Sequence, residues 1–190
     1  VYRDSFNGDY DLNISGISFD SNKVKEGFIF VALTGENTDG HSYIDSAVKN
    51  GAKALIVEKA PEINSQEVSV VQVNDSRAAL AGVSANFFRH PTKELTLVGI
   101  TGTNGKTTIT YLLESIWQHQ NKKCGLIGTI DYRYGYTIKQ SSMTAPESLE
   151  LTRMFSQIRD QGVETVPLAV STHAIHMLRV DLSPLYPPLS

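Results

Sequence analysis

The chain has 190 residues, enough for one large domain or two small ones. Hydrophobic residues make up 41% and charged residues 19%, and a net charge of −3 gives no reason to expect nucleic acid or an acidic membrane surface as a partner. Cys124 is the single cysteine, which excludes an internal disulfide and suits a reducing cytoplasm; no apolar run reaches membrane length, and no signal peptide is read at the N-terminus.

Residues 1–10 are polar and weakly patterned, and a loop is expected there. Ile14 to Phe19 reads as a short strand, followed by turn chemistry in Asp20-Ser21-Asn22. Phe28 to Leu33 is apolar throughout, the pattern of a buried strand. A loop through Gly40 leads into a helix over His41–Asn50, with Tyr43, Ile44, Ala47 and Val48 on one stripe and Gly51 as its stop. Ala54–Val57 and Val68–Val73 read as strands. Asn74 or Asp75 caps a helix that Pro91 closes. Strands alternating with helices predict an α/β layer with a largely parallel sheet.

A polar link, Thr92-Lys93-Glu94, is expected to separate an N-terminal domain, residues 1–93, from a second, residues 94–190. The second opens on the most informative stretch of the chain. An apolar strand, Leu95 to Ile100, enters Thr101-Gly102-Thr103-Asn104-Gly105-Lys106-Thr107-Thr108, where Gly-Lys-Thr opens a helix. That is the layout of a nucleotide-phosphate loop. Glycines bring backbone N–H groups against phosphate oxygens, and the helix turns its positive end toward the same anion. Gly102, Thr103, Asn104, Gly105, Lys106, Thr107 and Thr108 are the candidate ATP-binding residues. Lys106 is the candidate catalytic group on the outer phosphates, and the Thr107 hydroxyl the candidate Mg²⁺ ligand. The usual pattern places a glycine five positions before Gly105; Ile100 stands there, so this loop is a shorter variant.

In the helix that follows, Ile109, Leu112, Leu113, Ile116 and Trp117 form a stripe that predicts a core-facing side. Cys124–Ile130 reads as a strand with Cys124 a small core residue, and Tyr132–Lys139 as a hairpin around Gly135. Pro146 suits the first turn of a helix running through Leu151, Met154, Phe155 and Ile158 to Gly162. A strand is read after Val163, although Pro167 is awkward in a central strand.

Gly102-Thr103-Asn104-Gly105-Lys106-Thr107-Thr108 resembles the ATP loop of the Mur ligases, most of all the branch that adds the third amino acid to the peptidoglycan stem, the UDP-N-acetylmuramoyl-tripeptide synthetase (MurE) type. The resemblance runs from about Asp11 to Arg179. It implies a small α/β uridine-binding domain followed by the first part of a P-loop ATPase domain. It also implies ATP and Mg²⁺ as cofactors, with a UDP-N-acetylmuramoyl dipeptide and a free amino acid as substrates. A cytoplasmic monomer with no nucleic-acid or membrane partner is expected. By position, Phe19 and Ser21 carry over as UDP-sugar contacts, and Glu36, Asn37 and Thr38 occupy the second contact loop. Thr144, Ser171 and Arg179 carry over as substrate contacts, with His173 a candidate site residue.

Several positions depart from the family's pattern. Asn22 replaces the Arg of an Asp-Ser-Arg motif. Met143 and Ala145 interrupt an Asn-Thr-Thr-Pro motif. Ala169 stands where the family has a Glu that helps to hold Mg²⁺, and Met177 where a polar substrate contact is often found. After Arg179 the pattern stops, so the chain reads as a truncated copy or fragment of such a ligase. A non-catalytic nucleotide-binding remnant, another Mur-ligase-like amide ligase and an unrelated P-loop kinase or ATPase are the alternatives.

Overall fold

The computed structural model describes residues 3–9, 11–35, 38–61, 68–128, 131–134, 137–140 and 146–169. The chain divides into two compact units, Val1–Val83 and Ser84–Ser190.

The first unit is a five-stranded sheet in the order β1-β5-β4-β3-β2. Its strands are β1 (Arg3–Asn7), β2 (Gly16–Ser18), β3 (Phe28–Val31), β4 (Ala52–Val57) and β5 (Ser69–Val73). β2 to β5 run parallel in sequence order, as the alternating pattern predicts. β1 pairs antiparallel with β5, so within the loop expected over residues 1–10 the segment Arg3–Asn7 is corrected to an edge strand. Its segment has no apolar alternation to read; the free edge of β5 supplies the ladder instead.

Helix α1 (Ile44–Lys49) follows a 3₁₀ turn over Gly40–Tyr43. Ile44 and Ala47 enter a core with Val24, Phe30, Leu55 and Val57, whereas Tyr43 is exposed, because the tighter turn takes it off the predicted stripe. Gly51 ends the element at a φ of 102°, and a Cβ there would lie 2.8 Å from the Glu26 Cα, so only glycine fits. Helix α2 (Ser76–Phe87) opens with the Asp75 carboxylate accepting the Ala78 N–H at 2.8 Å. The boundary between the two units falls inside α2.

The second unit contains β6 (Thr96–Ile100), α3 (Lys106–His119), β7 (Leu126–Ile127), β8 (Asp131–Tyr134), β9 (Thr137–Gln140), α4 (Ser148–Asp160) and β10 (Thr165–Ala169). The sheet order is β6-β10-β7-β8-β9. β6, β10 and β7 are parallel; β8 and β9 add the predicted hairpin antiparallel, with Tyr134 opposite Thr137. The strand predicted over Cys124–Ile130 is shorter, with Cys124 held by an isolated bridge to Thr165. Burial pushes the Cys124 thiol up to about 12, which makes it an unreactive packing group.

The stripe of α4 behaves as read: Leu151, Phe155 and Ile158 pack with Leu97, Ile127, Val166 and Leu168. Pro146 is not in its first turn. Glu147 is the N-cap, and its N–H donates to Glu150 Oε2 at 3.3 Å in a capping box. Gly162, at a φ of 71°, terminates the helix.

Pro167 sits within β10, opposite Val98 of β6. The Thr165 carbonyl accepts from Gly125 on the β7 side, and alternation turns the Pro167 nitrogen the same way. Within the named strands, the pairing of β10 with β7 is confined to Leu168 and Ile127, so the missing donor falls where the ladder is sparse.

Helix α3 corrects the sequence reading most sharply. Ile109, Leu112 and Ile116 are 46%, 57% and 52% exposed, Leu113 and Trp117 are half-buried, and the buried side chains are Thr110 and Glu114. The polar inner face has partners. Arg133 of β8 reaches Asp131 at 2.8 Å, the Tyr111 hydroxyl at 3.2 Å and the Glu114 carboxylate at 3.9 Å, and Tyr111 donates to Asp131 at 2.9 Å. A helix facing an Asp–Arg pair buries the side chains that satisfy it.

Candidate functional site

The phosphate-loop residues come together where β6 ends. Ile100 lies opposite Ala169 at the ends of two parallel strands, and open α/β sheets bind ligands at that edge. The chain crosses from Thr101 to Gly105 in the open, every residue exposed. Gly105 has a φ of 80° and open space around a built Cβ, so the backbone conformation, rather than crowding, calls for glycine there.

Lys106 is the first residue of α3, and the cap residue Gly105 has no side chain to offer the helix's first N–H groups. The first helical bond runs from the Ile109 N–H to the Gly105 carbonyl at 2.9 Å. The first turn of α3 therefore receives no side-chain cap from Gly105 and forms the positive end of a helix of 14 residues. Lys106 Nζ donates to the Gly102 carbonyl, which folds the ammonium over the loop it serves. Thr110 buttresses this turn by donating to the Lys106 carbonyl at 2.6 Å. An anion placed in the loop meets backbone donors, a helix dipole and one ammonium: the donor set for a terminal phosphate.

For Mg²⁺ the described donors are sparse. Thr107 supplies a hydroxyl in the first turn of α3, but the strand end beside Ile100 carries Ala169, and among the described residues no three His, Cys, Asp or Glu side chains converge. These residues fit a nucleotide phosphate better than they fit a metal of their own.

In the first unit the candidate contacts also lie past the ends of parallel strands. Ser21 is buried at the start of a 3₁₀ turn that Asp20 caps by accepting the Asn22 N–H at 3.0 Å, and the Ser21 carbonyl accepts from Asn50 Nδ2 at 2.9 Å. Phe19 is half-buried beside it, and Asn22 is exposed. After β3, Thr38 is exposed in a loop closed by a bridge between Thr34 and Asp39. Glu36, Asn37, Thr144, Ser171, His173 and Arg179 lie outside the described residues.

One constellation was missed by the sequence reading. His41 Nδ1 meets Asp39 Oδ1 at 2.6 Å, and its Nε2 accepts the Glu58 N–H at 3.0 Å and the Lys59 N–H at 3.3 Å. Glu58 Oε1 takes the Ser76 N–H at 2.9 Å and hydroxyl at 2.7 Å, and Oε2 takes the Thr34 hydroxyl at 3.0 Å. Bonds from the His41 backbone and ring hold the Asp39 carboxyl below its usual value. Burial pushes Glu58 up, but the Ser76 and Thr34 donors outweigh it and leave the carboxyl lowered. The available signal is the Asp-x-His spacing at a place where the sequence pattern reads as a loop running into a helix.

Comparison with known proteins settles the family. Residues 13–88 match the pattern described as Mur ligase family, catalytic domain, and residues 100–187 that of the Mur ligase middle domain. The chain belongs to the Mur ligase family. A UDP-N-acetylmuramoyl-L-alanyl-D-glutamate–2,6-diaminopimelate ligase of Caldanaerobacter subterraneus subsp. tengcongensis is 44% identical over 175 residues, covering 92% of this chain and 36% of the relative. The ligase of the same name from Halalkalibacterium halodurans is 46% identical over 168 residues, covering 88% and 34%.

Among solved Mur ligase structures, one of a UDP-N-acetylmuramoyl-L-alanyl-D-glutamate–2,6-diaminopimelate ligase superposes with a TM-score of 0.70 at 26% identity, over 88% of this chain and 34% of that one. The MurF ligase of Thermotoga maritima in complex with ADP superposes with a TM-score of 0.58 at 25% identity, over 87% and 35%. The chain thus spans about a third of the length of the Mur ligases it matches. Among the described residues no helix is long and apolar enough to cross a membrane.

Proposed function

We propose that the chain carries two of the binding sites of a Mur ligase that adds the third amino acid to UDP-N-acetylmuramoyl-L-Ala-D-Glu: the ATP-phosphate loop and the UDP-sugar edge. The observation that carries this reading is the start of α3, where Gly105, in the left-handed conformation, contributes no side chain and Lys106 bends over the loop. The names of the relatives support the ligase class and its acid and amine substrates. Phe19, Ser21 and Asn37 are assigned to the UDP-sugar, and Thr144, Ser171 and Arg179 to the rest of that substrate, with His173 beside them. Mg²⁺ enters with the nucleotide and Thr107; the protein is a cytoplasmic monomer, with its division into domains at residues 93 and 94.

In this reading the backbone cradle and Lys106 stabilise a transferring phosphoryl group as ATP activates the substrate's terminal carboxylate. Positioning the attacking amine is a large part of amide formation, and no described residue is assigned to it. The test is calorimetric titration of the chain with ATP and with UDP-N-acetylmuramoyl dipeptide, alongside an assay for ADP release with added lysine, diaminopimelate or ornithine. Binding of both ligands without turnover is expected; absence of ATP binding would sink the reading.

Ala169 favours a second reading, a nucleotide-binding remnant. Ala169 lies beside Ile100 with only a methyl group, and the resemblance to the family implies a carboxylate at that position. Binding of ATP with no binding of the UDP-dipeptide would favour this reading.

A further inference from the structure

We propose that His41 is a positioning residue for the UDP-sugar site, acting through the two arms of the loop after β3, Thr34–Gly35 and Thr38–Asp39. This rests on the assignment of that strand edge to the UDP-sugar.

His41 Nε2 accepts two backbone N–H groups, from Glu58 and Lys59, so that nitrogen carries no proton. The neutral ring must then carry its proton on Nδ1, which donates to Asp39 Oδ1 at 2.6 Å. The same Asp39 oxygen accepts the His41 N–H at 3.0 Å. One ring therefore ties the last residue of the loop to the chain leaving β4. Glu58, whose N–H is held by that ring, ties the first residue of the loop through the Thr34 hydroxyl at 3.0 Å. It also fixes the start of α2 through Ser76 and accepts Gln72 Nε2 on its carbonyl at 3.1 Å.

Backbone bonds close the loop between these anchors. Gly35 N–H donates to the Thr38 carbonyl at 3.0 Å and Gly40 N–H to the Leu33 carbonyl at 2.9 Å. A Cβ on Gly40 would come within 2.7 Å of the Leu33 nitrogen, so the two ends already touch. Thr34, Gly35 and Thr38 are nonetheless exposed, so these arms are held by polar anchors more than by burial. A loop stabilised by polar anchors rather than by core contacts loses its order when the anchors go. Ordering it again at each binding event weakens the affinity.

The test uses the whole chain, titrated calorimetrically with UDP-N-acetylmuramoyl dipeptide, UDP and ADP, in wild type, His41→Ala and His41→Gln. A glutamine amide keeps one donor for Asp39 and one acceptor for Glu58. In His41→Ala the dissociation constants for UDP-dipeptide and UDP are expected to rise about tenfold or more, with ADP unchanged. His41→Gln should recover most of the loss. Amide exchange at Gly35 and Gly40 should quicken in His41→Ala while amides of β3 and β4 stay protected. Unchanged UDP-dipeptide affinity in His41→Ala overturns the proposal. So does unfolding, a parallel loss of ADP binding or no recovery in His41→Gln, each of which assigns the ring to general stability. A wild-type chain that binds neither UDP nor the UDP-dipeptide overturns instead the site assignment beneath it.

Discussion

Replacing Lys106 with alanine separates the phosphate loop's binding role from any part the lysine plays in the fold. Among the described residues its ammonium donates to the Gly102 carbonyl, in a loop exposed from Thr101 to Gly105. Water replaces that donor when the side chain goes, so the unliganded chain should lose no more than about 0.5 kcal/mol, the usual range for surface changes. For a chain of this size that moves the melting midpoint by about 2 °C at most. Bound phosphate changes the account. A hydrogen bond from an ammonium to a phosphate oxygen contributes about 1.5–3 kcal/mol, and its loss weakens binding by roughly 10- to 150-fold. The backbone N–H groups at the start of α3 survive the substitution, so weak residual binding should remain. The assay is calorimetric titration of ADP into both proteins, with thermal unfolding of each in its absence. An ADP dissociation constant within twofold of wild type in Lys106→Ala would place the nucleotide elsewhere. A fall in midpoint of 8 °C or more without nucleotide would mean that the lysine is structural.

Mg²⁺ should raise the ATP affinity of the native chain less than about threefold, since the Ala169 side chain carries no oxygen, and Ala169→Glu should enlarge that ratio by supplying a carboxylate of the kind Mg²⁺ uses with phosphates. Equal Mg²⁺ dependence in both proteins would show that the end of β10 does not face the metal. Burial raises the Glu114 carboxyl above its usual value, against the opposing charge of Arg133 and with help from Asp131. A raised folded value means that the stabilising form is the protonated one, complete below the unfolded value near 4.5 and lost as pH rises through the folded value. Glu114→Gln should therefore stabilise the chain in urea unfolding at pH 7 and give a smaller gain at pH 4; a gain that grows on acidification would contradict this sign. Phe155 is fully buried between α4 and the sheet, and Phe155→Ala should cost about 3–5 kcal/mol in the same unfolding assay. A loss below 1 kcal/mol would mean that α4 does not carry the core.

What the sequence disclosed follows the physics of each segment. The strand–turn–helix layout of the candidate phosphate loop was legible because glycine conformation, a lysine and a helix start are all local features, and these lie between Ile100 and Lys106. The stripe of α4 was legible because Leu151, Phe155 and Ile158 recur at helical spacing and the core meets them, although Ser148, Thr152 and Ser156 are buried with them. β1 was not, since its pairing depends on the edge of β5, a segment more than sixty residues away in sequence. The anchoring by His41 was hidden for the same reason: its Asp39 partner is two residues away, but the Glu58 and Lys59 N–H groups come from the end of another strand. At the candidate metal position the departure at Ala169 was legible as a residue type, while its place beside Ile100 required the register of β10 on β6.

Helix α3 shows where periodicity misleads, and it can be tested on one side chain. Ile109, Leu112 and Ile116 repeat at helical spacing, which in most helices marks the buried face. Here the inward face holds Thr110 and Glu114, because β8 presents Arg133 and Asp131 to it. An apolar stripe against that pair would forfeit the contacts that Tyr111 and Glu114 make with it, leaving a partly desolvated ion pair short of hydrogen bonds. Leu112, at 57% exposed, removes little apolar area from water. Leu112→Gln keeps length and nearly the same helix propensity, so it should change stability by no more than about 0.5 kcal/mol in urea unfolding. Were the stripe in a core, the same change would bury an amide and lose packing, costing about 2 kcal/mol or more. A loss of that size would return the stripe to the interior and overturn the orientation of α3 described above, and with it the direction in which Lys106 meets the loop.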